Sequence, residues 1–236
     1  MRNLVLLFVL FTQLVAAQQK QITLEDAIMG AYQGLRPESL NGLDWKNENT
    51  FTFLKNDTLW EELADKGVRK PLLTLNDLDT VFENEGVSEF RRFPFFSFLN
   101  ENEMILITQG NYYVLDVSVK KITLFIELPE KAEEPVFNPA GRFVAFTMEN
   151  DLYAAFADGK TVRITRDGGN GIVNGSSVHR NEFGINGGIF NSPGGNYFAF
   201  YRKDDSMVHG YPLVDFMARE AEYTPVKYPM AGLTSE

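Results

Sequence analysis

The chain has 236 residues, a formal charge of −10 at pH 7, 44% apolar and 23% charged residues, no cysteine, and two histidines, His179 and His209. That profile belongs to a globular chain rather than a disordered one. It excludes disulfides, cysteine nucleophiles and zinc–thiolate sites and leaves too few histidines for a histidine-rich metal centre, so no metal and no cofactor is expected. Its negative charge opposes a nucleic-acid partner.

The first element is a leader. Met1-Arg2-Asn3 carries one positive charge, Leu4 to Leu14 is almost unbroken apolar sequence, and Val15-Ala16-Ala17 supplies small residues for cleavage. The run is too short to span a bilayer, and polar Gln18-Gln19-Lys20-Gln21 follows it. Residues 1–17 therefore read as a signal peptide, and the product as exported, to the periplasm or beyond. No later stretch approaches about 18 apolar residues, so no membrane span is expected.

Residues 18–40 form an N-terminal helical segment in this reading. Ile22 to Tyr32 is predicted helical: Thr23 can cap it, Asp26 lies near the positive end of its dipole, and Leu24, Ala27, Ile28 and Ala31 share a face. Gly34 and Pro37 end it. Beyond that point helical periodicity is not evident.

From residue 41 to 236 a two-strand phrase recurs. Phe137-Asn-Pro-Ala-Gly-Arg-Phe-Val-Ala-Phe146 returns as Phe190-Asn-Ser-Pro-Gly-Gly-Asn-Tyr-Phe-Ala-Phe200, with weaker copies from Phe98 to Ile107 and from Trp45 to Phe53. Second phrases follow: Asp57 to Trp60 with Leu72 to Leu75, Asn111 to Asp116 with Lys120 to Leu124, and Asp151 to Ala155 with Gly159 to Thr165. Apolar strands separated by turn residues predict antiparallel hairpins. The opening aromatics Trp45, Phe98, Phe137 and Phe190 lie 53, 39 and 53 residues apart. Four short strands per unit of about 40–50 residues is the signature of a β-propeller blade. A plain β-sandwich is the alternative, but a sandwich need not repeat a phrase. The predicted fold is thus all-β, a partial β-propeller with a short N-terminal helix. Only about three to four blades fit, too few to close a ring, so the sequence reads as cut short.

From about Pro135 onward the chain resembles the propeller of the dipeptidyl peptidase IV family, serine peptidases of the prolyl-oligopeptidase type. The resemblance is carried in order by Phe137-Asn-Pro-Ala-Gly, Asn150-Asp-Leu-Tyr153, Val162-Arg-Ile-Thr165, Asn174-Gly175, Ser177-Val-His-Arg-Asn-Glu-Phe-Gly184, Phe190-Asn-Ser-Pro-Gly-Gly, Tyr211-Pro-Leu and Tyr228-Pro-Met-Ala-Gly232. The segment from Val178 to Gly184 is most similar in style to the bacterial prolyl tripeptidyl aminopeptidase branch. Residues 18–134 match only in repeat style.

This resemblance implies an eight-bladed propeller capping an α/β-hydrolase domain that the chain does not contain. It also implies proline-containing peptide substrates, release of di- or tripeptides, and a homodimer when the protein is full length. A fixed carboxylate that pairs with the substrate's free α-amino group is part of such an enzyme, and by resemblance that residue is Glu182. His179 and Asn181 would shape the same loop. Two departures stand out. Asn191 and Gly194 occupy positions where the family has Trp and Asp, which predicts a less tightly held blade. The segment Arg180-Asn181-Glu182 carries one carboxylate where dipeptidyl peptidases carry a pair. The family also uses an arginine on an earlier blade; none occurs from Gln109 to Tyr113, although Arg91 and Arg92 lie nearby in sequence.

No window fits the G-x-S-x-G elbow that presents a nucleophilic serine, so no catalytic residue is assigned within these residues. Ser177 and His179 are two apart and do not face each other as a dyad. Gly168-Gly169-Asn170-Gly171 precedes no helical pattern and reads as a loop. The competing functional reading is a non-catalytic exported propeller-like module that binds peptides or glycans.

Overall fold

The computed structural model describes residues 22–30, 39–87, 89–178, 182–220 and 222–235. The leader assigned to residues 1–17 lies outside them. The chain divides into two compact units, residues 1–41 and 42–236. No helix among the described residues is long and apolar enough to cross a membrane.

In the first unit, α1 (Leu24–Met29) starts at Thr23, whose side chain accepts from the Asp26 N–H while Asp26 accepts from the Thr23 N–H. This reciprocal capping satisfies two of the backbone donors that a helix start leaves open. The described helix is shorter than the expected Ile22–Tyr32, and residues 31–38 lie outside the described set.

The second unit is mostly β. Its first sheet is β1 (Asn41–Trp45, opening one residue before the unit boundary), β2 (Thr50–Lys55), β3 (Thr58–Leu63) and β4 (Arg69–Thr74), hydrogen-bonded in chain order. The helix α2 (Leu75–Glu83) follows. The second sheet contains β5 (Phe95–Phe98), β6 (Glu103–Thr108), β7 (Asn111–Asp116) and β8 (Lys121–Ile126). The third contains β9 (Glu133–Asn138), β10 (Phe143–Met148), β11 (Asp151–Phe156) and β12 (Thr161–Arg163). Three two-stranded pairs complete the unit: β13 (Ile172–Asn174) with β16 (Arg202–Asp204), β14 (Ile189–Asn191) with β15 (Phe198–Phe200), and β17 (Gly210–Asp215) with β18 (Glu222–Lys227).

The repeated phrases explain why each sheet forms. The second and third strands of each full sheet are joined by two residues that both have positive φ: Asn56 and Asp57, Gln109 and Gly110, Glu149 and Asn150. That is the backbone a tight hairpin needs to match strand twist. One turn earlier an asparagine side chain accepts backbone N–H groups: Asn47 from Asn49 and Thr50, Asn100 from Asn102 and Glu103, Asn138 from Gly141. Side-chain capping of this kind holds a turn without help from the core.

Strand alternation then sorts residues between neighbouring sheets. Met104, Leu106, Tyr113 and Leu115 pack with Leu59 and Leu73 of the first sheet and Leu78 and Phe82 of α2. Their neighbours Ile105, Tyr112 and Val114 turn the other way, onto Val144, Phe146 and Ala155 of the third sheet. From the far face of that sheet, Phe143, Ala145, Leu152 and Ala154 meet Ile189, Phe198 and Phe200. The α2 helix was not anticipated by periodicity. Thr74 and Asp77 form its capping box, and Leu78 and Phe82, four apart, are its buried positions. Nine residues are too few to raise a helical period above the surrounding strand pattern.

Polar contacts link consecutive turns. Asn47 donates to Glu101 at 3.0 Å, Arg142 donates both Nη groups to Glu103 at 3.0 and 3.2 Å, and Asn138 Nδ2 donates to Asn191 Oδ1 at 3.1 Å. Asn191 also donates to the Phe137 carbonyl at 3.0 Å. Asn191 therefore bridges the β9–β10 turn and the β14–β15 hairpin through its side-chain amide. Replacing buried Asn138 with Ala removes its bonds to Gly141 and Asn191, and urea unfolding should show a loss of about 1–3 kcal/mol. Lys131→Ala, which breaks a pair with Glu149 that is exposed on both sides, should leave the urea midpoint essentially unmoved.

Candidate functional site

The site is built outward from Asp151. The positive-φ pair Glu149–Asn150 turns the chain so that Asp151 opens β11 with its side chain buried. Its carboxylate accepts from the Thr165 hydroxyl at 2.6 Å, from the Gly168 N–H at 3.0 Å and from the Arg163 guanidinium. Burial pushes the carboxyl up, but the Thr165, Arg163 and Gly168 donors outweigh it and hold Asp151 below the ordinary aspartate range.

This carboxylate folds the segment after β12 back against the β10–β11 turn. Asn174, fully buried, donates to Asp167 at 2.9 Å through its side chain, and its main-chain N–H donates to the Asn150 carbonyl at 3.0 Å. Gly168 is needed here because a Cβ would sit 2.5 Å from the Asn150 oxygen. The stretch from Gly168 to Gly171 is the loop that the sequence suggested.

Asn174 delivers the chain to a narrow neck. The Gly175 N–H donates to the Tyr201 carbonyl at 2.8 Å, and the Tyr201 N–H donates to the Gly188 carbonyl at 2.9 Å, so one residue fastens both ends of the 176–187 loop. A Cβ on Gly188 would lie 2.2 Å from the Gly175 oxygen. Inside the loop, Ser177 Oγ donates to the Ile185 carbonyl at 3.0 Å and the Ser177 N–H donates to Glu134 at 3.3 Å. Ser177 thus spends its hydroxyl proton on a main-chain carbonyl. Glu134 belongs to the irregular end of β9 and has φ 48°; burial and neighbouring Glu133 raise its carboxyl, while the Ser177 N–H partly counters them.

Glu182 lies midway along this loop and opens a single 3₁₀ turn, Glu182–Gly184. Its side chain, and all of His179, Arg180 and Asn181, lie outside the described residues. The next residue, Phe183, adopts φ 55°, a left-handed conformation that bulky residues rarely take, and is 93% exposed. Sequence reasoning left Arg91 and Arg92 unplaced; the structure sets both, with Gln109, around one cavity. Their distance in sequence from the β6–β7 turn hid this, because only the pairing of β5 with β6 brings the two segments together.

The architecture is that of an all-β repeat protein whose second and third four-stranded sheets bury both faces against neighbours. The family model described as the dipeptidyl peptidase IV (DPP IV) N-terminal region matches residues 92–236, and the chain belongs to that family. A solved structure from Bacteroides ovatus, called a "putative dipeptidyl aminopeptidase IV", is similar with a TM-score of 0.76 at 35% identity; the match covers 92% of this chain and 30% of that one. The Porphyromonas gingivalis dipeptidyl peptidase 4 structure shares the fold, with a TM-score of 0.58 at 21% identity, over 91% of this chain and 32% of its own. A "Probable dipeptidyl-aminopeptidase B" of Phaeosphaeria nodorum is 37% identical over 112 residues, which are 41% of this chain and 12% of that protein. The chain therefore spans about an eighth of that fungal relative and under a third of the solved structures it matches.

Two outcomes follow from the geometry. Gly188→Ala should open the neck, seen as proteolytic cleavage within 176–187 under conditions where the parent protein resists. Asp151 has a depressed folded-state value, so its stabilisation is present above about pH 4 and is lost as pH falls through that lowered value. Asp151→Asn should lower stability at pH 7 and flatten the acid side of a urea-midpoint-against-pH curve.

Proposed function

We propose that this chain is the propeller portion of an exported serine exopeptidase that releases di- or tripeptides after proline, with Glu182 receiving the substrate's free amino terminus. Family membership and the pinned loop that carries Glu182 support this reading. A charged amino terminus needs a carboxylate held in a fixed place, since pairing with a mobile one costs side-chain entropy. The Gly175–Tyr201–Gly188 neck fastens the two ends of the loop that carries Glu182. With one carboxylate on the segment, the lean is towards tripeptide release.

In this proposal residues 1–17 are a removed signal peptide, 18–40 an N-terminal helical segment, and 41–236 about three to four blades of an eight-bladed ring. Three four-stranded sheets followed by the β14–β15 hairpin support that count. The Ser-Asp-His machinery lies in an α/β-hydrolase domain outside these residues, in keeping with the small share of its relatives' length that the chain spans. The complete protein would be a homodimer acting in the periplasm or outside the cell.

In the full-length enzyme, Glu182→Gln keeps size and hydrogen-bonding capacity but removes the charge. Its kcat/KM should fall about 30- to 1000-fold, the equivalent of ~2–4 kcal/mol, on peptides with a free amino terminus. N-blocked peptides should be affected little. Equal efficiency on both substrates in the variant and the parent would remove Glu182 from the site. Residues 18–236 alone should show no turnover of prolyl anilides above a buffer blank.

A further inference from the structure

We infer that Asn186 is a site of spontaneous deamidation, where the asparagine is converted to aspartate or isoaspartate, whatever the role of Glu182 in the same loop. The chemistry depends on the residue that follows. The main-chain nitrogen of Gly187 gives up its proton to solvent base and attacks the carbonyl carbon of the Asn186 side chain, forming a cyclic imide. The bond from that carbon to the side-chain nitrogen breaks, and ammonia leaves. Water then opens the imide at one carbonyl or the other. No oxidant or reductant is needed: asparagine and water give a carboxylate and ammonia. Attack is easiest where glycine follows, because no Cβ shields its nitrogen. It also needs a nitrogen free of hydrogen bonds, and a backbone that can turn until nitrogen and carbon meet.

The Asn-Gly pair occurs four times, at Asn41, Asn170, Asn174 and Asn186. The fold obstructs three of them. Asn174 is fully buried, its amide is donated to Asp167 at 2.9 Å, and the Gly175 N–H is committed to the Tyr201 carbonyl at 2.8 Å. Asn170, with φ 53°, sits in a turn closed by reciprocal main-chain bonds between Gly169 and Ile172 of 2.8 and 3.0 Å. Its Gly171 lies so close to the following segment that a Cβ would stand 2.6 Å from the Ser206 nitrogen. Asn41 opens β1, and a Cβ on Gly42 would meet the Leu54 side chain at 2.9 Å, so this backbone has no room to turn. Asn186 differs on each count. It is exposed, and neither its side chain nor the Gly187 N–H makes a hydrogen bond among the described residues. A Cβ on Gly187 would have nothing within 4 Å, so space for the attack is open. The product adds a carboxylate to the 176–187 loop, and its isoaspartate form lengthens the main chain two residues before Gly188, where the loop is fastened.

Peptide mapping of the full-length protein, aged in mildly alkaline buffer made with heavy-oxygen water, tests this. The label marks carboxylates formed before digestion. Asn186 should be converted at least about tenfold faster than Asn41, Asn170 and Asn174, since those sites must first open locally. Gly187→Ala, whose methyl group meets open space, should slow conversion at Asn186 about tenfold and leave the melting temperature unchanged. In concentrated urea the four sites should react at similar rates. The inference is overturned if Asn186 stays intact, if another Asn-Gly pair reacts as fast in the folded protein, if Gly187→Ala reacts as the parent does, or if the same ranking persists in urea.

Discussion

The second and third sheets are buried on both faces, and the rest of the second unit follows from that. Along β6 and β7 each successive residue enters a different core: Met104, Leu106, Tyr113 and Leu115 on one side, Ile105, Tyr112 and Val114 on the other. A sheet with two apolar faces cannot be stable by itself in water, because about 25 cal/mol is forfeited for every Å² of apolar surface left exposed. Each sheet therefore requires its neighbours, and the chain must supply them at regular intervals. The repeat in the sequence is the consequence of this packing rule.

Sheets that stack through apolar faces could still slide over one another, since hydrophobic contact has no direction. Direction comes from the turns. Asn47 to Glu101, Arg142 to Glu103 and Asn138 to Asn191 tie each first hairpin turn to the next. The approach is close enough that Gly195 could carry no side chain: a Cβ there would stand 2.4 Å from the Gly141 nitrogen. Packing supplies the energy of the stack and these polar links supply its register.

The same division operates around the Glu182 loop. The two ends of this loop are held by main-chain hydrogen bonds. The Tyr201 main chain clasps Gly175 and Gly188, and behind them a buried aspartate, Asp151, gathers three donors from the 163–168 stretch. A buried carboxylate with so many donors is costly to disturb, because removing a donor leaves charge unsatisfied in a poorly solvated place. A loop organised in this way can present an exposed residue, such as Phe183, in a conformation it would not otherwise hold.

The all-β class, the hairpins and their order were legible in the sequence, because period-2 alternation and the Asn, Gly and Pro turn residues act locally and leave a local trace. Family likeness was legible for the same reason: Asn150-Asp-Leu-Tyr153, Val162-Arg-Ile-Thr165 and Asn174-Gly175 are the residues that converge on Asp151, although nothing in their spacing says that they meet. The α2 helix was not legible, being short and capped by a motif that strands flank closely. The roles of Gly188, Tyr201 and Glu134 around the loop, the bridging of Asn191, and the meeting of Arg91 and Arg92 with Gln109 were decided by tertiary structure alone. Each depends on segments brought together by sheet pairing or stacking, and contacts across such distances leave no periodicity along the chain.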